Sequence, residues 1–231
     1  MLYLGKGLFF CYNIRTMVIT YLGADFFKVQ FGDITIAVNP ISKESKLAQA
    51  RFGADIALVS ANHPDLDGVD LVSHGDKKPF VISGPGEYEI QGVFIKGLPS
   101  TTTYGQSKGI AQLINSIYTV SLENMNLCFL GVLDSEKLPA ETVEELDEID
   151  VLFVPIGGDG VLAPAAAYKL AVSLEPKIII PTHYGDVGAK DALKAFLKEA
   201  GESPKAEEKL TLKKKDLEGK EADIIVLARS L

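Results

Sequence analysis

The chain has 231 residues, 47% of them hydrophobic and 23% charged, which is enough apolar material for one sizeable core and rules out a largely disordered chain. A formal net charge of -8 repels phosphate backbones and argues against nucleic acid as a partner. No stretch is apolar for long enough to span a membrane, and two cysteines without CxxC pairing, Cys11 and Cys128, argue against a disulfide framework or thiolate zinc site and suit a reducing cytoplasm.

Residues 1–16 carry one early Lys and a short apolar patch, Leu8 to Tyr12, too short for a signal-peptide core. They read as an N-terminal extension, packed as an extra edge element or partly disordered, before a domain spanning 17–231. Val18 to Leu22 is β-branched and aromatic, and Gly23 ends it. Phe26 to Phe31 and Ile34 to Val38 flank Gly32-Asp33 as a hairpin, and Asn39-Pro40 stops it. Lys46 to Phe52 reads as a short helix. Asp55 to Ser60 and Pro79 to Ser83 read as buried strands, separated by an Asp-, Pro- and Gly-rich loop.

Glu87 to Gln91 and Val93 to Lys96 are strands split by Gly92, and residues 99–109 read as a polar loop. Ile114 to Ser121 and Asn126 to Leu133 form a hairpin around Glu123-Asn124. The pattern then changes to strand–helix alternation. Helices are expected at Ala140 to Leu146, Pro164 to Leu174 and Asp191 to Ala200, the last ended by Gly201. Buried strands are expected at Asp150 to Pro155 and Lys177 to Pro181, with closing strands at Leu210 to Lys214 and Asp223 to Ala228. This mixture predicts a layered α/β domain.

Four segments carry a family resemblance. They are Ile34-Thr35-Ile36-Ala37-Val38-Asn39-Pro40, Ala57 to Asp65 (ALVSANHPD), Gly84-Pro85-Gly86-Glu87-Tyr88-Glu89-Ile90, and Asp150 to Gly158 followed by Pro176 to Gly185 (PKIIIPTHYG). In this order and spacing the chain resembles the metallo-β-lactamase fold, specifically its compact branch of zinc-dependent hydrolases, from about Met17 to the C-terminus. The resemblance implies a four-layer αββα sandwich and a metal centre at the strand ends.

The residues at the implied centre depart from the family pattern. The family's T-H-x-H-x-D-H loop reads Ser60-Ala61-Asn62-His63-Pro64-Asp65-Leu66 here, with Ala61 and Leu66 in place of two histidines. A further family histidine should fall near Thr101 to Thr103, and a bridging Asp should follow Gly131, where Val132 stands. The final family histidine matches His183. The resemblance therefore leaves His63, Asp65 and His183 as metal ligands, with Asp65 and His183 as the catalytic candidates. Three histidines in the whole chain are too few for the family's two-metal site.

Two readings follow. In one, the chain is a diverged member without two-zinc hydrolysis. In the other, one divalent metal, zinc or manganese, sits on His63, Asp65 and His183, helped by Asp134 or Asp186, and activates water on an ester or phosphoester. A third reading, from a mean hydropathy of +0.16, is a scaffold protein whose apolar surface pairs with another copy as a homo-oligomer. Without metal chemistry, the expected partner of the old pocket is an unknown small-molecule ligand. Glu87 and Glu89 share one strand face and read as structural. Gly157-Gly158-Asp159-Gly160 is a weak candidate anion cradle without the P-loop ending. Cys128 reads as core, His74 as an exposed loop residue, and Lys213-Lys214-Lys215 as a solvated turn.

Overall fold

The structure is a computed structural model describing residues 16–106, 112–146 and 148–230. The extension expected at residues 1–16 lies outside the described residues except for Thr16. Two mixed sheets face each other. The first has the order β12-β1-β2-β3-β4-β5 and the second β13-β11-β10-β9-β8-β7-β6. The first is built from β1 (Met17–Gly23), β2 (Phe26–Phe31), β3 (Ile34–Val38), β4 (Ile56–Leu58), β5 (Phe80–Ile82) and β12 (Leu210–Leu212). The second contains β6 (Gly86–Ile90), β7 (Val93–Thr102), β8 (Leu113–Leu122), β9 (Met125–Phe129), β10 (Val151–Pro155), β11 (Ile178–Thr182) and β13 (Asp223–Ile224).

Each sheet repeats one plan. Antiparallel hairpins come first, β1-β2-β3 in one and β6-β7-β8-β9 in the other. Parallel strands follow, β3-β4-β5 and β9-β10-β11-β13. Parallel strands are buried on both faces and need continuous apolar runs. Val151–Pro155 and Ile178–Thr182 supply them, and every residue of both is buried. The hairpin turn at Glu123-Asn124 has φ of 51° and 62°, the two left-handed residues of a turn that matches strand twist.

The core between the sheets is aromatic at its centre. Phe129 stacks on Phe153 with ring centroids 4.1 Å apart, and Phe27 meets Phe153 edge-on at 4.8 Å. Helices α1 (Ala140–Glu145), α2 (Pro164–Ser173) and α3 (Ala192–Ala200) lie outside the second sheet, where Leu170, Phe196 and Ile179 share a second apolar cluster. Gly201 ends α3 with a left-handed φ of 71°. The first sheet's outer face is covered by Ile41, Leu47, Phe52, Val69 and Val72. This is the expected αββα sandwich, with one outer layer thinned to irregular chain and a 3-10 turn at Val69–Val72.

Three local expectations are corrected. Lys46 to Phe52 is not helical. The Ser45 hydroxyl accepts the Leu47 N–H at 3.0 Å, and the Gln49 side chain donates to the Ser45 and Leu47 carbonyls. Such side-chain bonds compete with the helix ladder, and one or two turns nucleate poorly. β7 runs on to Thr102 through the segment read as loop, because β8 pairs with it as far as Thr102↔Leu113. β5 is an exposed sheet edge rather than a buried strand.

Candidate functional site

The four loop ends that carry the candidate residues meet at one end of the sandwich. The first sheet contributes the β1–β2 turn with Asp25 and the loop after β4 with His63 and Asp65. The second contributes Tyr104 after β7 and His183 after β11. Side chains at the C-terminal ends of strands are held by rigid backbone while still reaching a common centre, as binding residues in α/β folds commonly are.

His183 is 1% exposed. Its φ of 60° is left-handed, unusual for a residue with a Cβ, and is held by its N–H donating to the Ala24 carbonyl at 2.7 Å. Gly157 makes room for it: a Cβ there would stand 2.4 Å from the His183 carbonyl oxygen and 2.7 Å from Cδ2. The His183 Nδ1 lies 2.9 Å from Asp25 Oδ2, and the Thr182 hydroxyl donates to Asp25 Oδ1. An ionised Asp25 can only accept, so Nδ1 carries the proton. Asp25, Thr182 and His183 are all buried, and their contacts tie the β1–β2 turn to β11.

Tyr104 stands between the two histidines. Its ring meets His63 edge-on at 4.9 Å and His183 at 5.0 Å with an interplanar angle of 86°. Its hydroxyl donates to Asp65 Oδ2 at 2.7 Å. Burial, reinforced by that bond, pushes the phenol far above its ordinary pKa, so it remains a donor. Ala61, Leu66, Val132 and Val161 form one apolar cluster with Tyr104. Three of those four, Ala61, Leu66 and Val132, stand at the positions where the resemblance implies metal ligands.

The remaining ligand-type groups are engaged elsewhere. The Ser45 hydroxyl donates to Asp65 Oδ1, so both carboxylate oxygens have donors. His63 Nδ1 accepts the Asp65 N–H at 3.2 Å, and Gly105 covers the other nitrogen, since a Cβ there would stand 2.4 Å from Nε2. Asp134 accepts from the Thr103 N–H at 2.8 Å and the Thr103 hydroxyl at 2.7 Å, and Asp186 pairs with Arg229. Among the described residues no three His, Cys, Asp or Glu side chains gather as a metal-binding group. The donor set in this conformation does not fit a metal ion.

Several sequence candidates fall outside the site. Glu87 and Glu89 share an exposed face of β6 at the sheet edge. In the Gly157–Gly160 turn the Gly158 N–H donates to the Leu162 carbonyl at 3.0 Å. His74 is exposed, and Cys128 is buried in the second apolar cluster. The Lys213–Lys215 run is not merely solvated, because Lys214 donates to the buried Asp150 at 2.8 Å. Neither Asp25 nor Tyr104 is singled out by the sequence; the one signal for Tyr104 is a large aromatic within a Thr- and Gly-rich loop, and Asp25 carries none.

Comparison with known proteins supports the superfamily and the fold. A family model described as the beta-lactamase superfamily domain matches residues 18–183. A UPF0173 metal-dependent hydrolase of Listeria welshimeri is 26% identical over 200 residues, covering 73% of this chain and 85% of the relative. A UPF0173 metal-dependent hydrolase of Anoxybacillus flavithermus is 24% identical over 194 residues, covering 73% of this chain and 86% of the relative. Among solved structures, a metallo-beta-lactamase superfamily protein of Thermotoga maritima superposes with a TM-score of 0.70 at 28% identity, covering 91% of this chain and 98% of that one.

Proposed function

The chain belongs to the beta-lactamase superfamily domain family, and from that premise we propose that it is a diverged member that keeps the fold for binding or assembly and lacks two-metal hydrolysis. One observation carries the reading. The Tyr104 ring fills the space between His63 and His183 while its hydroxyl holds Asp65. The replacement of ligands by Ala61, Leu66 and Val132 supports it, because these side chains pack with Tyr104 as apolar core and have no lone pair for a metal. The Tyr104–Asp65 and His183–Asp25 contacts each join one sheet to the other. They do mechanically what a shared metal would do, without one. A cytoplasmic location fits a sequence with two cysteines and no CxxC pair.

The competing reading has its own support, since the curated relatives are named metal-dependent hydrolases. A single zinc or manganese at His63, Asp65 and His183 would require Tyr104 to leave its place between the two histidines. Turnover separates the two readings. Wild-type protein with added zinc or manganese should hydrolyse simple ester and phosphoester substrates no faster than the His183→Ala variant. A chelator-sensitive rate that His183→Ala abolishes would overturn the proposal.

A further inference from the structure

The first sheet has an open edge. β5 pairs with β4 on one side and, among the described residues, with no strand on the other. The Phe80 N–H donates to the Asp55 carbonyl at 2.8 Å, and the Ile82 carbonyl accepts from the Val59 N–H at 2.9 Å. Hydrogen-bonding groups alternate sides along a strand, so the Val81 N–H and C=O point away from β4. Phe80 and Val81 are 48% and 44% exposed. An apolar edge with outward peptide groups is a template for another strand.

We propose that β5 is the seam of a homodimer, in which β5 of one copy pairs antiparallel with β5 of a second about a two-fold axis at Val81. In this register the two Val81 residues face each other and exchange both N–H···O=C bonds. Residue 80 then faces residue 82, so each exposed Phe80 is covered by the β5 backbone of the other copy at the already buried Ile82. Residue 78 faces residue 84, which brings Lys78 to the Gly84–Gly86 turn of the other copy, beside the exposed Glu87. Lys77 is neutralised within its own chain by Asp55 at 2.7 Å, but parallel pairing would set each Lys78 against its own copy, a like-charge clash. Lys78 before the strand and Glu87 after it thus select the antiparallel partner. Pro79 limits the ladder to a few bonds, which suits a short, isologous seam.

The proposal is independent of whether the old metal site is active. Sedimentation velocity on the full chain, up to roughly 100 μM, tests it. The expected species is a dimer of about twice 24.9 kDa. Val81→Pro removes only an outward N–H, and losing the central pair of bonds should weaken the dimer about tenfold or more. Lys78→Glu should also weaken it, and Lys78→Glu combined with Glu87→Lys should restore it, which decides the matter even if Val81→Pro misfolds. A wild-type chain that stays monomeric, or a dimer indifferent to the charge reversal, would overturn the proposal.

Discussion

Tyr104 allows the sharpest test of how this site is held together. Tyr104→Phe deletes one hydroxyl and leaves Asp65 Oδ2 without its 2.7 Å donor. The Asp65 side chain is 16% exposed, so water can restore only part of that bond, and the cost should be about 1–2 kcal/mol. Tyr104→Ala removes the ring as well and opens a cavity beside Leu66, Val132 and Val161, at a cost of about 3–5 kcal/mol. For a domain of this length each kcal/mol moves the melting temperature by about 2–4 °C. Circular-dichroism melts should therefore fall by about 4 °C for Tyr104→Phe and about 12 °C for Tyr104→Ala. The wild-type curve should be the same with chelator or with zinc. A ligand that binds only the folded state stabilises it by about 2.7 kcal/mol at a hundredfold excess over its dissociation constant, which here would add about 8 °C. A zinc-dependent rise of that size in the wild type, or a Tyr104→Ala variant melting within about 2 °C of wild type, would refute the reasoning.

The buried Asp150 gives a pH prediction. Burial pushes its carboxyl up, but hydrogen bonds from Lys177, Lys214 and the Asn126 N–H outweigh burial and hold it below its ordinary value. A depressed folded pKa means stability present above the unfolded value and lost as pH falls through the folded one, so urea stability should decline below about pH 4, and less so in Asp150→Ala. Lys177 is raised by its bonds to Asp150 and then Glu148, so its contribution should persist at neutral pH and fade above about pH 10.5. At pH 7, Asp150→Ala should cost about 2–3 kcal/mol in urea unfolding, because it removes the buried acceptor of the Asn126 N–H and of Lys214 and leaves Lys177 with Glu148 alone; a neutral variant would contradict this. Burial pushes the Cys128 thiol up to about 12, so in a Cys11→Ser protein a thiol reagent should label it only as fast as the chain unfolds, and prompt labelling would contradict that. Gly157→Ala would drive a Cβ into His183 and should cost about 3 kcal/mol in the same urea assay, where a neutral result would contradict the packing.

Much of the fold was legible in the residues because continuous apolar runs and tight turns leave few alternatives. Val151–Pro155 and Ile178–Thr182 could only be buried strands, and Glu123-Asn124 only a hairpin turn. Apolar content does not reveal neighbours, however. Phe80–Ile82 resembles those runs but sits at an edge, because no later strand pairs with it among the described residues. The Lys46–Phe52 segment has helix-forming composition, yet Ser45 redirects its first amide. At the candidate site, the family resemblance singles out His63, Asp65 and His183, and all three border or bond Tyr104. Tyr104 and Asp25 were not readable, because each acts on a residue far away in sequence: Asp25 meets His183 across a separation of 158 residues.

Metal content tests the central claim most directly. The protein would be purified without added metal, loaded separately with zinc and manganese, desalted and assayed by elemental analysis beside His183→Ala and Tyr104→Ala. With Tyr104 between the histidines, the wild type should retain no stoichiometric metal under either loading. Retention of about one equivalent by the wild type, lost in His183→Ala, would contradict the account and restore a one-metal hydrolase.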